Sequence, residues 1–466
     1  MSWFNKVKGR LIMLLSNKAK DEFNVKERTS DKLLSFIREC EDMYRGEPYW
    51  QSDEVHTINF AKAICSEVAR LATMNIEVDV TGDARAEWLN ERLEQCRYSW
   101  RQWVEYAGAV GTVILKPNGE GVDIVMPDRF IVTDYKNGQI TGAVFVDEYY
   151  DDSTELYYTR MEWHRFEDGQ YKITNKCYAG KSSMDTEREV DIANTRWAEL
   201  AEETVVENVD KPLFGVLKMP TANNIEIGSP LGLPIFADAV REMKDLDIAY
   251  SLNAREIADS GRTVLLDSDR LLTSGGRVGT MQGEALVEQR GLPHYVKLVD
   301  GDGATSFYQE INPTLNTGVR LQGINALLSQ IGYKCGFSNG YFVFNEKLGQ
   351  VTATQVESDD RRTLQLIADI RQSLENCING LVYALDKIAD AYGDTPAGEY
   401  EVIYDFADLT LNEDEDRARW LSFVAQGWIP FWKYLVEFEG YSEEDAKELS
   451  QQQQQTDALE QLFMQG

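Results

Sequence analysis

The longest regular pattern in the chain is a helical repeat that occupies residues 352–391. Thr354 and Glu357 have the spacing of a capping box, which satisfies backbone N–H groups at the start of a helix. Apolar residues then recur every three or four positions, at Leu364, Ile367, Ile370, Leu374, Ile378, Leu381, Leu385 and Ile388. A helix of this length spans about 60 Å. The rest of the chain must therefore fold around one very long element.

Shorter helical patterns and strand-like patterns precede this helix. Helical spacing covers residues 55–74 and about 84–107, whereas residues 112–180 alternate with period two. Within the alternating stretch, Lys136-Asn137-Gly138 and Glu167-Asp168-Gly169 separate pairs of β-like runs, as in antiparallel hairpins. The combination predicts an α+β fold.

A β-rich module interrupts the helical pattern at residues 259–312. It contains several glycines and short β-like pieces at Thr263–Leu266, Tyr295–Val299 and Ser306–Tyr308. Helical spacing flanks it at about 234–258 and again from Pro313, a residue favoured at helix starts. We expect the two flanking helices to be antiparallel, with the module at their far end.

The chain beyond the long helix returns to a helical pattern after one strand. Glu401–Tyr404 has the composition of a lone strand, and the chain from residue 413 onward is helical in pattern. The acidic run Glu413–Asp416 would begin that region, because negative charge is favourable at a helix N-terminus.

The charge of the chain is strongly unbalanced. Lys and Arg total 47 against 78 Asp and Glu, which gives a net charge of −31. A protein that holds nucleic acid by neutralising phosphates needs a basic surface, so this class is excluded. The 43% hydrophobic content excludes a largely disordered chain.

The N-terminus combines basic and apolar residues. Lys6, Lys8 and Arg10 precede the apolar run Leu11–Leu15, which is shorter than the roughly 7–15 residues of a signal core. The stretch resembles a basic amphipathic helix, which would pack on protein or lie on a membrane surface. Six scattered cysteines indicate a reducing cytoplasm, and no apolar run is long enough to span a membrane.

Three partial motifs for catalysis or ligand binding lack the neighbouring residues or secondary structure that each motif requires. Gly336–Gly340 matches G-x-S-x-G, but a predicted helix precedes Ser338 and no histidine follows His294. Gly180-Lys181-Ser182 lacks the earlier glycine of a phosphate loop, and Asp300–Gly303 lacks the later ligands of a calcium loop. His164 lies in a predicted strand and is expected to be structural. We therefore expect no metal, no cofactor and no enzyme activity.

Short segments spread in order along the chain match a known family. They are Asn59–Cys65, Met161–Arg165, Pro212–Phe214, Asn223-Asn224, Ser229–Gly232, Lys244–Ser251 and Gly349–Glu357. Together they resemble the SPP1-like (A118-type) portal proteins of tailed bacteriophages. Gln355 stands where that family typically has Glu, and the last 50 residues match least.

The resemblance implies a ring of about twelve subunits around a central channel, with wing, stem, clip and crown regions. On this map, residues 1–233 are the N-terminal part of the wing, 234–258 the first stem helix, 259–312 the clip, 313–333 the second stem helix, 334–412 the tunnel loop, long wing helix and closing strand, and 413–466 the crown. The ring would lie at one capsid vertex of the virion after assembly in the host cytoplasm.

The resemblance also implies the partners and the site residues. The partners are the subunit itself, the large terminase subunit, a head-completion adaptor, the major capsid and scaffolding proteins, and double-stranded DNA that passes without sequence specificity; no membrane is involved. The tunnel loop that faces DNA would include Asn345, Glu346, Lys347 and Gln350. Partner contacts of the clip would include Asp267, Asp269, Arg270, Arg277, His294 and Tyr295.

An acidic channel suits the passage of DNA. Basic groups on the wall would each add a phosphate contact and a barrier to sliding, whereas an acidic wall confines DNA to the axis. Lys347 is an exception, and we expect it to make weak phosphate contact. Unchanged DNA packaging and retention in both Lys347→Ala and Lys347→Glu would contradict this.

Two other classes of protein remain open on the sequence alone. One is a cytoplasmic structural adaptor, which would assemble without a channel for DNA. The other is an enzyme that uses an unrecognised carboxylate site, which would form a monomer or small oligomer with a cleft.

Overall fold

The computed structural model describes most of the protein. The described residues are 18–118, 121–183, 185–186, 188–259, 263–267, 296–299, 308–311, 316–343, 353–393, 396–406, 413–426, 428–443 and 445–450. The chain divides into two compact units, Met1–Phe406 and Ala407–Gly466. Both helices and sheets occur, which confirms the predicted α+β class.

Helices of nine residues or more occur in both units. They are α1 (Asp31–Tyr44), α2 (Phe60–Ala72), α3 (Ala84–Cys96), α4 (Trp100–Val110), α5 (Val240–Asp259), α6 (Thr317–Lys334), α7 (Ala353–Tyr392), α8 (Glu413–Ala425) and α9 (Phe431–Glu439).

The strands that the structure describes lie in the first unit. They are β1 (Glu77–Gly82), β2 (Thr112–Pro117), β3 (Val122–Val125), β4 (Phe130–Lys136), β5 (Gln139–Asp151), β6 (Leu156–Glu167), β7 (Gln170–Gly180), β8 (Arg188–Val190), β9 (Glu203–Val206), β10 (Gly215–Lys218), β11 (Thr263–Asp267), β12 (Val296–Val299), β13 (Tyr308–Ile311) and β14 (Tyr400–Asp405). They form sheets of order β4-β5-β6-β7-β8 with β9 also on β7, β10-β2-β3, β12-β11-β13 and β1-β14.

The largest sheet is a series of hairpins, as the alternating pattern predicts. Asn137 and Gly138 connect β4 to β5 with φ of 53° and 76°, and Asp168 and Gly169 connect β6 to β7 with φ of 52° and 80°. Positive φ at both turn residues matches the right-handed twist of the flanking strands.

Helix α7 is the central packing element of the first unit and confirms the long helical pattern. Its buried side chains include Ile367, Ile370, Leu374, Ile378 and Leu381, each with no exposed area. Burying each of them stabilises the fold by roughly 1.5–3 kcal/mol. The helix lies against β10 so closely that a Cβ on Gly215 would stand 2.2 Å from the Cys377 carbonyl oxygen.

Four sequence predictions about elements need correction. The helix predicted over residues 55–74 is limited to Phe60–Ala72, because Asn59 with φ of 52° is its N-cap. The helix predicted over 84–107 is divided by a 3₁₀ turn at Arg97–Ser99, after which Trp100 and Trp103 are both buried. The strand around Glu401–Tyr404 is not alone, because β14 pairs with β1 in antiparallel register. The helix predicted to start at Pro313 begins at Thr317; Pro313 itself lies outside the described residues.

The second unit is small and helical in its described part. Tyr434, Leu435 and Ala446 are its buried centre, and aromatic side chains of α8 and α9 pack around them. Ser442 Oγ accepts a hydrogen bond from the Asp445 N–H over 3.2 Å, as the side chain of a helix N-cap does.

Candidate functional site

Helices α5 and α6 form an antiparallel pair that is joined at both ends by ion pairs. Lys334, at the end of α6, places its Nζ 2.7 Å from Glu242 Oε1 in the first turn of α5. At the other end, Arg320 pairs with Glu256. The start of each helix therefore lies beside the end of the other, so that the end of α6 is close to the start of α5.

A small sheet follows the far end of this helix pair. Its central strand β11 runs parallel to β12, with Val264 opposite Val296, and antiparallel to β13, with Thr263 opposite Ile311. Asp267 is the last residue of β11 and lies opposite Val299. The other expected clip contacts, Asp269, Arg270, Arg277, His294 and Tyr295, lie outside the described residues.

The helix pair exposes large apolar side chains near this sheet. Val319 is 72% exposed, Leu252 46% and Leu321 41%. Exposed apolar side chains grouped on one pair of helices are typical of a surface that another protein covers.

The segment that follows α6 is fixed onto α7. The Arg362 guanidinium lies 3.8 Å from the centre of the Tyr333 ring and donates to the Tyr333 carbonyl oxygen over 2.8 Å. Thr363 Oγ1 accepts the Ser338 N–H over 2.9 Å, and both side chains are buried. These contacts hold residues 333–338 against α7 at Arg362 and Thr363.

The expected tunnel loop begins just beyond this anchor. Tyr341 donates its hydroxyl to Glu67 on α2, and the Phe342 ring lies edge-on to Phe60 at 5.2 Å. The expected DNA-facing residues Asn345, Glu346, Lys347 and Gln350 lie outside the described residues. The structure therefore describes the anchor of the loop on one side.

The matched segment Lys244–Ser251 on α5 binds the residues that precede α2. Asp247 is 3% exposed, and its carboxylate accepts the Trp50 Nε1–H over 2.8 Å and the Ile58 N–H over 3.0 Å. Ser251, one turn later, accepts the His56 N–H over 2.9 Å. Residues 50–58, which lead into α2, are therefore fastened to α5.

A second hydrogen-bond network is centred on the buried His164. The Tyr171 oxygen accepts the Leu213 N–H over 3.0 Å, so its single hydrogen is free to donate to His164 Nδ1 at 3.0 Å. His164 Nε2–H then donates to Glu162 Oε1 over 2.9 Å. Burial lowers the pKa of His164, which is therefore a neutral structural ring, in agreement with the expected role.

Glu162 is surrounded by cations. Lys116 pairs with its Oε2, and Arg160 Nη2 lies 3.1 Å from the same oxygen. Burial by itself would raise the pKa of Glu162, but Lys116, His164 and Arg160 hold it well below its usual value. A carboxylate held ionised and fully paired is typical of a structural network, since it cannot act as a general base without losing its partners.

A surface cleft of about 530 Å³ is lined by Arg85, Asp386, Lys387, Asp390 and residues 397–400. Arg85 Nη2 lies 2.5 Å from Asp390 Oδ1, and Lys387 Nζ lies 3.4 Å from Asp386 Oδ2. Each aspartate therefore faces a cation, as in a structural ion-pair network.

The described residues include potential metal ligands and cysteine thiols. Within them, no group of three or more His, Cys, Asp or Glu side chains is placed to hold a metal ion. All six cysteines are free and buried, and burial raises the pKa of each thiol. Across the described part of the chain, no helix is long and apolar enough to cross a membrane.

Comparison with known proteins finds similarity among solved structures and none among sequences. No family model and no curated protein matches the sequence. Among 42 matching chains of solved structures, one comes from a structure titled "Virion of native gene transfer agent (GTA) particle". The likeness covers 88% of this chain and 94% of that chain, with 10% identity and a TM-score of 0.44. At that score a shared fold is not established.

Proposed function

We propose that this chain is a bacteriophage portal subunit, which forms a ring at one capsid vertex and surrounds double-stranded DNA during packaging and ejection. The proposal starts from the seven matched sequence segments and the order in which they occur. It extends to the partners that such a ring docks, the large terminase subunit and a head-completion adaptor.

The observation that carries the proposal is the helix pair α5 and α6 with its sheet at one end. The pair and the sheet together occupy residues 240–334, the part of the chain for which the resemblance implies a stem and a clip. The outer strands β12 and β13 each have one edge without a strand partner among the described residues, and such edges suit strand pairing with a neighbouring subunit or a docked partner.

Exposed apolar side chains on the helix pair support self-assembly. Leu252, Val319 and Leu321 are each at least 41% exposed. Burial against neighbouring copies would remove this surface from water at roughly 25 cal/mol per Å². A ring closes such contacts on themselves, whereas an open arrangement would grow without limit.

The net negative charge favours a protein that lets DNA pass over one that binds nucleic acid tightly. With a net charge of −31, the protein repels DNA at long range. A ring that repels DNA from every side keeps the duplex on its axis and lets it slide.

Electron microscopy of the purified protein tests the proposal against its alternatives. The portal predicts rings with a hole as wide as a DNA duplex. An adaptor predicts assemblies without a channel, and an enzyme predicts compact monomers or small oligomers. Either of the last two results would overturn the proposal.

A further inference from the structure

The two-stranded sheet β1–β14 has one face that no part of the described chain covers. Its register puts Glu77 opposite Asp405, Asp79 opposite Ile403 and Thr81 opposite Glu401. All six residues are exposed, and Ile403 at their centre is 49% exposed. This set of six is called the ribbon face.

The ribbon face is electrostatically unfavourable when it stands alone. Four of its six residues are carboxylates, and within the described residues none of them forms an ion pair with a basic side chain. Glu77 and Asp405 are directly opposed like charges, which destabilises a strand pair. A cationic partner would remove this repulsion.

A complementary surface lies at the 3₁₀ turn between α3 and α4. Tyr98 is 93% exposed and stands between the exposed residues Arg97 and Arg101. Arg97 Nη1 lies 3.4 Å from Glu94 Oε2, but both side chains are about half exposed, so this pair is weak. Tyrosine and arginine are the residue types that most often anchor interfaces. Residues 97–101 are called the arginine–tyrosine turn.

The two surfaces are both left open within one copy. Side chains alternate between the faces of a strand, so the ribbon face is opposite the face that carries the buried Val80 and the half-buried Tyr404, whose hydroxyl bonds Asn379 on α7 over 2.9 Å. Among the described residues, neither Arg97 nor Arg101 forms an ion pair with a carboxylate of the ribbon face. Both surfaces are therefore available to a second copy.

We propose that the arginine–tyrosine turn of one copy docks on the ribbon face of the next copy. Arg97 and Arg101 would meet the four carboxylates, and Tyr98 would cover Ile403. A contact between two different surfaces is head-to-tail, and it closes into a ring when the rotation permits. The inference rests on the proposed ring and names the surfaces that hold it together.

Charge reversal tests this contact on the full-length protein. One variant carries Arg97→Glu and Arg101→Glu, and a second carries Glu77→Lys and Asp405→Lys. The control carries Lys181→Glu and Arg188→Glu, which reverse two exposed basic residues elsewhere and change the net charge as the arginine variant does. Mass photometry and analytical ultracentrifugation at about 0.15 M salt report the assembly state.

Neither interface variant should form rings alone, whereas their equimolar mixture should. In the mixture, the reversed turn of one variant meets the reversed ribbon face of the other, and the two unmodified surfaces meet in the same way. The control should assemble as the unmodified protein does. Tyr98→Ala, which leaves all charges in place, should raise the dissociation constant of assembly about tenfold.

Three results would count against the contact or its premise. Rings formed by both interface variants alone would overturn the contact, and so would a mixture of folded variants that stays dissociated while Tyr98→Ala assembles normally. Failure of the unmodified protein to form any ring would overturn the proposed function instead.

Discussion

His164 donates its Nε2–H to Glu162 Oε1 over 2.9 Å, and this bond joins a neutral ring to a buried, ionised carboxylate. Because the pKa of His164 is lowered in the folded state, the unfolded chain binds a proton more readily. Folding stability is therefore intact above about pH 6.5 and falls as the pH decreases. The lowered pKa of Glu162 acts in the same direction at more acidic pH, since its contribution is lost as the carboxylate protonates.

We expect His164→Gln to reduce this acid sensitivity. Urea unfolding at about pH 7 and about pH 5 should show a smaller loss of free energy of unfolding in the variant, by up to about 1.4 kcal/mol per pH unit. Equal losses in the two proteins would mean that His164 is not the titrating group.

Removing the Thr363 hydroxyl should destabilise the anchor of the expected tunnel loop. In Thr363→Val the buried N–H of Ser338 loses the Oγ1 that accepts it at 2.9 Å. An unsatisfied buried donor costs about 1–3 kcal/mol, measurable as a lower free energy of unfolding. Ser338→Ala is the matched control, because it keeps this N–H bond and should cost less. Equal costs would contradict the role of the bond.

Asp247→Ala should release the segment that leads into α2. The change removes the acceptor of both the Trp50 Nε1–H and the Ile58 N–H, at a cost of at least about 2 kcal/mol. Hydrogen exchange of residues 52–60 should become faster. Asp245→Ala, at an exposed position of the same helix, should leave the exchange unchanged. Slow exchange in Asp247→Ala would show that other contacts hold the segment.

Val319→Asp should prevent ring assembly without unfolding the subunit. Val319 is 72% exposed, so the folded monomer tolerates a charge there, whereas an interface that buries it does not. Gln322→Asp, at an exposed polar position of α6, serves as the control. Sedimentation should show monomers for Val319→Asp and rings for Gln322→Asp; rings in both would place α6 outside the interface.

Local chemistry predicts the local parts of the fold. The turns Asn137-Gly138 and Asp168-Gly169 can be read from sequence because positive φ demands those residue types. The long helix is predictable because its apolar face repeats without interruption. The partner of β14 is not, since β1 lies far away in the chain and nothing in either strand specifies the other.

The hydrogen-bond network around Asp247 joins residues that are far apart in the chain, and so does part of the network around His164. Asp247 meets Trp50 across 197 residues, so its role follows only from the folded structure. The strand position of His164 predicts a structural role, and Glu162 is its neighbour two residues earlier on the same strand. Its other partner, Tyr171, follows only from the register of β6 and β7. Of the expected clip contacts, Asp267 has a described backbone position, and the tunnel-loop residues remain predictions.

A three-dimensional reconstruction of the assembled protein by cryo-electron microscopy tests the central claim most directly. We expect a closed ring with an acidic channel, in which the wall that faces DNA is lined by Asn345, Glu346, Lys347 and Gln350. A ring without a channel, or one that carries these four residues on its outer surface, would contradict the proposed function.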